Sequence, residues 1–172
     1  AMLMLNDVFE HTWGEALGHY GLNRPACEFW ERAITAVKKI RPDFIFIAEA
    51  YWNLEAKLLK LGFDYVYDKK LYDLLLGGSV PRIISHLQSD LTYQRHLVRF
   101  IENHDEARAA AAFGRERSMV AAVLSGSLPG MRLYHDGQLE GRRVRLPVQL
   151  GREPVEEVDA VLARFCLLYT SP

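Results

Sequence analysis

Ile47-Ala48-Glu49-Ala50-Tyr51-Trp52 and Phe100-Ile101-Glu102-Asn103-His104-Asp105 each close an apolar run with carboxylate or imidazole groups. How those runs are read decides the fold. Residues 44–48, 63–67, 97–101 and 131–134 are short and nearly continuous in apolar side chains, which suits parallel strands covered by helices on both faces. Helical patterns lie between them. Asn23 can cap a helix with Pro25 at its start, after which Ala26, Trp30, Ala33, Ile34, Val37 and Ile40 recur at helical spacing. Residues 53–61 form a shorter helix stopped by Gly62. Residues 81–89, 106–113 and 116–124 are further helix candidates, and 125–130 is a turn into the last strand. This alternation predicts α/β architecture with right-handed crossovers.

Composition sets the bounds. With 172 residues, 49% of them hydrophobic and 25% charged, the chain has enough apolar material for a globular core, which excludes global disorder. A net charge of −1 with both signs interspersed leaves no footprint for nucleic acid or an anionic membrane. Arg142-Arg143-Val144-Arg145 reads as a solvated loop. Cys27 and Cys166 match no metal-ligand spacing and read as buried or idle thiols. No apolar run approaches the roughly 20 residues of a membrane span, and no basic-then-apolar leader layout is present. A cytoplasmic location is the expectation.

A complete (β/α)₈ barrel takes about 250 residues. Four strands therefore predict half of such a TIM barrel, four parallel strands with flanking helices. The alternative is a small open doubly wound sheet, but no Gly-rich phosphate loop follows any strand, and Gly77-Gly78 is not one. Barrels gather their chemistry at the carboxyl ends of strands. Glu49 would sit there beside Tyr51 and Trp52, a setting that can keep a carboxylic acid protonated for glycosidic-bond cleavage; the plainer alternative is a cap for the next helix. Tyr51 and Trp52 suit stacking on sugar rings, or equally helix packing. Asp105 can accept hydrogen bonds from vicinal hydroxyls and His104 can donate one, with Asn103 beside them; the alternatives are a helix cap and a loop histidine. His135 and Asp136 end the last strand, a position from which they can face a ligand, but a turn around Asp136-Gly137 is the first reading. His11, His19, His86 and His96 read as structural or exposed. No metal or cofactor is assigned.

With these motifs in view, the chain resembles the C-terminal half of an α-amylase superfamily catalytic domain, a (β/α)₈ family of retaining glycosidases and transglycosidases. In that family an acid Glu ends the fifth strand, matching Glu49, and an Asn-His-Asp run ends the seventh, matching Asn103, His104 and Asp105. Gly62-Phe63-Asp64-Tyr65-Val66-Tyr67-Asp68 matches the sixth strand, and residues 130–141 resemble the eighth with its glycine-bounded acidic loop. Two motifs in order at the expected separation argue against chance.

The resemblance implies α-glucans, maltooligosaccharides or related α-glucosides as substrates, Glu49 as general acid and Asp105 as transition-state stabiliser. It places the family's nucleophile, the Asp of an Arg-x-Asp pattern on the fourth strand, just ahead of residues 1–6. Asp7 has no apolar strand before it and reads as a loop or helix-start residue. The expectation is thus an incomplete catalytic domain over residues 1–165, inactive alone, whose missing partner is the N-terminal half of the same barrel. A helix over 155–165 is expected to stop against residues 166–172, a tail that fits neither the helix pattern nor the family and reads as non-native. The competing reading is a non-catalytic barrel homologue that binds carbohydrate or a protein. Keeping Glu49, His104 and Asp105 together argues against it.

Overall fold

The computed structural model describes residues 2–5, 20–21, 26–51 and 53–170, with 2–5 and 166–170 described by backbone alone. The chain divides into two compact units, Ala1–Lys69 and Lys70–Pro172. Each consists of parallel strands flanked by helices.

In the first unit β1 (Met2–Leu5), β2 (Ile47–Ala50) and β3 (Tyr65–Tyr67) run parallel. β1 pairs with β2 from Met2 opposite Ile47 to Leu5 opposite Ala50, and β2 pairs with β3 through Ile47 opposite Tyr65. β1 is a strand that the sequence reading did not anticipate. Its run of Met and Leu is apolar but lacks the β-branched and aromatic residues that mark strands, so propensity hides it. β2 begins three residues later than the apolar run. The backbone N–H of Phe46 donates to Asp64 Oδ2 at 2.8 Å, and the Phe46 carbonyl accepts from the Asp64 N–H at 2.9 Å. Asp64 therefore holds the approach to β2, and Glu49 falls inside the strand rather than beyond it.

α1 (Phe29–Ile40) packs through Ile34 and Trp30, whose ring lies 5.7 Å from that of Phe63. Lys38 in its last turn pairs with Asp64. The apolar stripe stops short of its predicted end, since Ile40 is 81% exposed. Asn23, Pro25 and Asp7 lie outside the described residues. α1 starts behind Glu28, which has extended backbone and makes no side-chain cap. Between α2 (Glu55–Lys60) and β3, Gly62 has φ 104°, the left-handed stop expected of it.

The second unit holds β4 (Leu97–Arg99) and β5 (Met131–Arg132), parallel with Val98 opposite Met131. α3 (Lys69–Gly77), which falls almost wholly within it, and α5 (Leu91–Arg95) are helices absent from the sequence reading. α3 buries Leu71, Tyr72, Leu74 and Leu75, and the Tyr72 ring stacks on Phe100 at 5.8 Å and meets Phe113 edge-on at 6.0 Å. α5 is started by Asp90, whose Oδ1 accepts the N–H groups of Thr92 and Tyr93. α4 (Val80–Leu87) and α7 (Arg115–Ser127) match expected helices; α6 is shorter than expected, covering only Ala109–Ala112.

The last helix differs at both ends from the expected 155–165. α8 spans Ala160–Thr170. Asp159 Oδ1 accepts the N–H groups of Val161 and Leu162, which fixes the start, and no Gly or Pro interrupts the chain from there to Thr170. Cys27 is exposed, not buried. Among the described residues no helix is long and apolar enough to cross a membrane.

Candidate active site

Glu49 is the penultimate residue of β2, only 2% exposed, between the fully buried Ala48 and Ala50. The Tyr51 hydroxyl donates to Glu49 Oε1 at 3.0 Å. Tyr51 is thus bound to the candidate acid through its polar tip. Capping of the next helix does not occupy Glu49, because α2 begins behind Leu54 without a side-chain cap. Trp52 lies outside the described residues.

In the second unit Asn103, 1% exposed, forms the turn that follows β4. Its Oδ1 accepts the backbone N–H groups of Asp105 and Glu106, both at 2.9 Å. Asn103 is therefore a turn-former, and its buried Nδ2 has no hydrogen-bond partner among the described residues. The turn presents His104 and Asp105, with His104 Nε2 3.6 Å from Asp105 Oδ2 and the Asp105 carboxylate 41% exposed. Asp105 is not the cap of α6. The N–H of Ala109, the first residue of that helix, goes to Glu102 Oε2 at 2.6 Å.

Glu102 was not singled out in the sequence, and it anchors a buried polar network of the unit. Its side chain is 1% exposed and its Oε1 lies 3.0 Å from Arg108 Nη1 and 3.2 Å from His135 Nδ1. Arg108 is buried too; its Nη1 is 2.6 Å from His135 Nδ1, and its Nη2 donates to the Asp136 carbonyl at 2.6 Å. Burial pushes the Glu102 carboxyl up to about 7, against the Ala109 N–H and Arg108, which pull it down. Burial and then Arg108 hold the His135 imidazole below its ordinary range, with Asp136 acting the other way. Burial, followed by Glu106, pushes the Tyr72 phenol up to about 12.

The Asp136-Gly137 turn is present, the Gln138 N–H donating to the His135 carbonyl at 2.9 Å. His135 has a second part in the network just described. A cavity of about 390 Å³ opens beside it, bounded by His104, Arg108, His135, Asp136 and Arg142 and by the irregular segment 144–156. Arg143, Val144 and Arg145 are exposed, as a solvated loop requires, and the loop is tied down at two points. The Glu156 carboxylate accepts the Arg143 N–H at 2.7 Å and the Val144 N–H at 3.3 Å, and Arg142 pairs with Glu153.

In the first unit a buried glutamate stands near the end of a parallel strand, and in the second a His-Asp pair stands on the turn after one, the positions at which α/β barrels carry their chemistry. Comparison with known proteins gives that class a narrower outline. The chain is 27% identical over 124 residues to the α-amylase MalA of Haloarcula japonica, covering 68% of this chain and 19% of that protein. Its fold is similar to cyclic α-maltosyl-(1→6)-maltose hydrolase from Arthrobacter globiformis, with a TM-score of 0.68 and 22% identity over 83% of this chain and 36% of the hydrolase. The maltogenic α-amylase AmyB of Thermotoga neapolitana gives a TM-score of 0.61 at 20% identity, covering 95% and 42% of the two chains. A Nostoc punctiforme debranching enzyme gives 0.66 at 17% identity, covering 89% and 39%. No protein-family model matches the chain. The fold is that of half of a (β/α)₈ barrel, and the resemblance to α-amylase superfamily enzymes holds in sequence and in fold. The chain spans about a fifth of the curated relative's length and well under half of the solved relatives.

Proposed function

We infer that this chain contributes the acid and the transition-state-stabilising carboxylate of a retaining glycosidase or transglycosidase acting on α-glucans or α-glucosides. One observation carries the reading: Glu49 is a buried carboxyl near a strand's exit that neither caps a helix nor faces bulk water, and it holds a phenol hydrogen bond. Such a group suits proton delivery to a glycosidic oxygen. Asp105, exposed on a turn beside His104, is free of capping duty and suits recognition of sugar hydroxyls. The relatives' names, which speak of maltose, α-amylase and debranching, support an α-linked glucan as the substrate class.

Retention requires a second carboxyl group about 5 to 5.5 Å from the acid to form the glycosyl-enzyme intermediate. The reading assigns that role to a residue other than Glu49 and Asp105, on a further part of the same barrel. The test is hydrolysis of 4-nitrophenyl α-glucoside by this chain expressed together with the N-terminal half of an α-amylase-type (β/α)₈ barrel. Glu49→Gln should lower kcat at least about 100-fold, the scale of general acid catalysis, with circular dichroism unchanged. Hydrolysis that persists in Glu49→Gln defeats the assignment.

A further inference from the structure

The sequence reading put His135 at a strand end and preferred a turn role to a ligand-facing one, and the family resemblance gives it no role, yet the geometry around it is that of an oriented ligand-binding imidazole. Its ring is fixed on one side only. Nδ1 lies 2.6 Å from Arg108 Nη1 and 3.2 Å from Glu102 Oε1, and Nε2 has no hydrogen-bond partner among the described residues. A guanidinium donates and never accepts, so the shorter contact makes Nδ1 a lone-pair acceptor, and Glu102 Oε1 then holds the ring through Arg108 Nη1, 3.0 Å away, rather than by accepting from Nδ1. The single ring proton then resides on Nε2.

Three features make this clamp rigid. Glu102 and Arg108 are both buried, so neither is rearranged by solvent. Arg108 is fixed a second time by the Asp136 carbonyl, next in sequence to the ring it holds. The backbone of His135 is held as well, since its N–H donates to Gln138 Oε1 at 3.3 Å and its carbonyl accepts the Gln138 N–H. The side chain nevertheless keeps 30% of its surface exposed, on the cavity of about 390 Å³. Leu146 and Pro147 contribute apolar surface to that cavity, and His104, His135 and Asp136 contribute polar groups. Hydroxylated rings with apolar C–H faces match such a lining, and the volume lies in the range of small-molecule sites.

We propose that His135 is a substrate-binding residue, held by Glu102 and Arg108 as positioning residues so that Nε2–H donates to a sugar hydroxyl in the cavity enclosed by segment 144–156. This deepens the α-glucan reading above and rests on it, adding a sugar-binding position outside the Glu49 and Asn103-His104-Asp105 motifs. Glu102 and Arg108 act through the imidazole and do not touch the sugar.

The experiment is nitrogen-15 NMR of the histidine-labelled chain, titrated with maltotriose, with the His135 signals identified by their loss in His135→Gln. The expected spectrum shows a neutral ring protonated at Nε2, whose shifts move on adding maltotriose. His135→Ala should weaken maltotriose binding about tenfold, the effect of one net hydrogen bond at the upper end of its range. The wild-type titration stands even if a variant folds poorly. Maltotriose binding that leaves the His135 ring unmoved, or a ring protonated at Nδ1, overturns the inference and leaves the α-glucan reading in place. Absence of maltotriose binding overturns it whatever the hydrolysis assay gives.

Discussion

Glu102 and His135, 33 residues apart in sequence, meet at 3.2 Å over a buried guanidinium. The displacement of the Glu102 carboxyl from 4.5 to about 7 has a consequence for stability. Between those values the folded chain binds more protons than the unfolded one, so the Glu102 contribution is fully present below about pH 4.5 and is lost as pH rises through 7. Its size is on the order of 3 kcal/mol. His135 acts oppositely, because its lowered value makes folding more favourable as pH rises toward 6.5. Comparing urea unfolding of the wild type and Glu102→Gln at pH 5 and pH 7.5 separates the two. Glutamine keeps the shape and neutrality of the protonated acid, so the variant should lose the pH-dependent fall that Glu102 causes. Equal slopes in both proteins would remove Glu102 as its source.

Asn103 offers a test of the turn that presents His104 and Asp105. Its Oδ1 satisfies two backbone N–H groups from a buried position. Asn103→Ala leaves both without that acceptor and should cost about 1–3 kcal/mol in chemical denaturation. Asn103→Asp retains an acceptor and should cost less. Equal losses from the two substitutions would mean that the side-chain carbonyl is not what holds the turn.

Gly130, at the tight entry to β5, has φ 116° and lies so close to the Leu97 carbonyl that an added Cβ would collide with backbone. Gly130→Ala should destabilise the chain by at least about 2 kcal/mol, combining strained backbone with a contact that neither strand can relieve. Thermal unfolding measures it, and an unchanged midpoint would contradict the β4–β5 geometry.

Much of this was legible in the sequence for definite reasons. The four anticipated strands are each found because runs apolar on both faces have few other uses in a chain of this size. Gly62 was legible because backbone conformation restricts residue choice there, whereas of the turn expected over 125–130 only 128–130 is bend, since α7 continues through Ser127. β1 was hidden by residues that favour helices elsewhere, and α3 by its place directly after a strand, where Leu71, Tyr72, Leu74 and Leu75 resemble a continuing apolar run. Glu49, His104 and Asp105 were readable as candidates because charge at a strand end stands out. His135 was noted at a strand end but read first as a turn residue, and Glu102 and Arg108 were not singled out, since the partnership of the three joins separate elements and only the fold brings them together. Asn103 was read for its chemistry, and its carbonyl is engaged in making the turn.

The last prediction concerns the chain by itself. A positioned acid lowers the barrier by assisting the leaving group, but the retaining pathway also needs a carboxylate to form a covalent bond at the anomeric carbon. Glu49 is spoken for by its acid role, and Asp105 by the adjacent His104 and the sugar hydroxyls it is proposed to receive. Neither can serve both purposes in one turnover. This chain alone is therefore expected to leave 4-nitrophenyl α-glucoside unhydrolysed, while the same chain supplied with the N-terminal half of an α-amylase-type barrel should gain activity and thermal stability together, since closing a parallel sheet buries apolar side chains and pairs edge hydrogen-bonding groups in the same step. Hydrolysis and unfolding followed on the same mixtures decide it. Turnover by the isolated chain that Glu49→Gln abolishes would show that the nucleophile lies within these 172 residues, and stability gained without activity would favour the non-catalytic, carbohydrate-binding homologue.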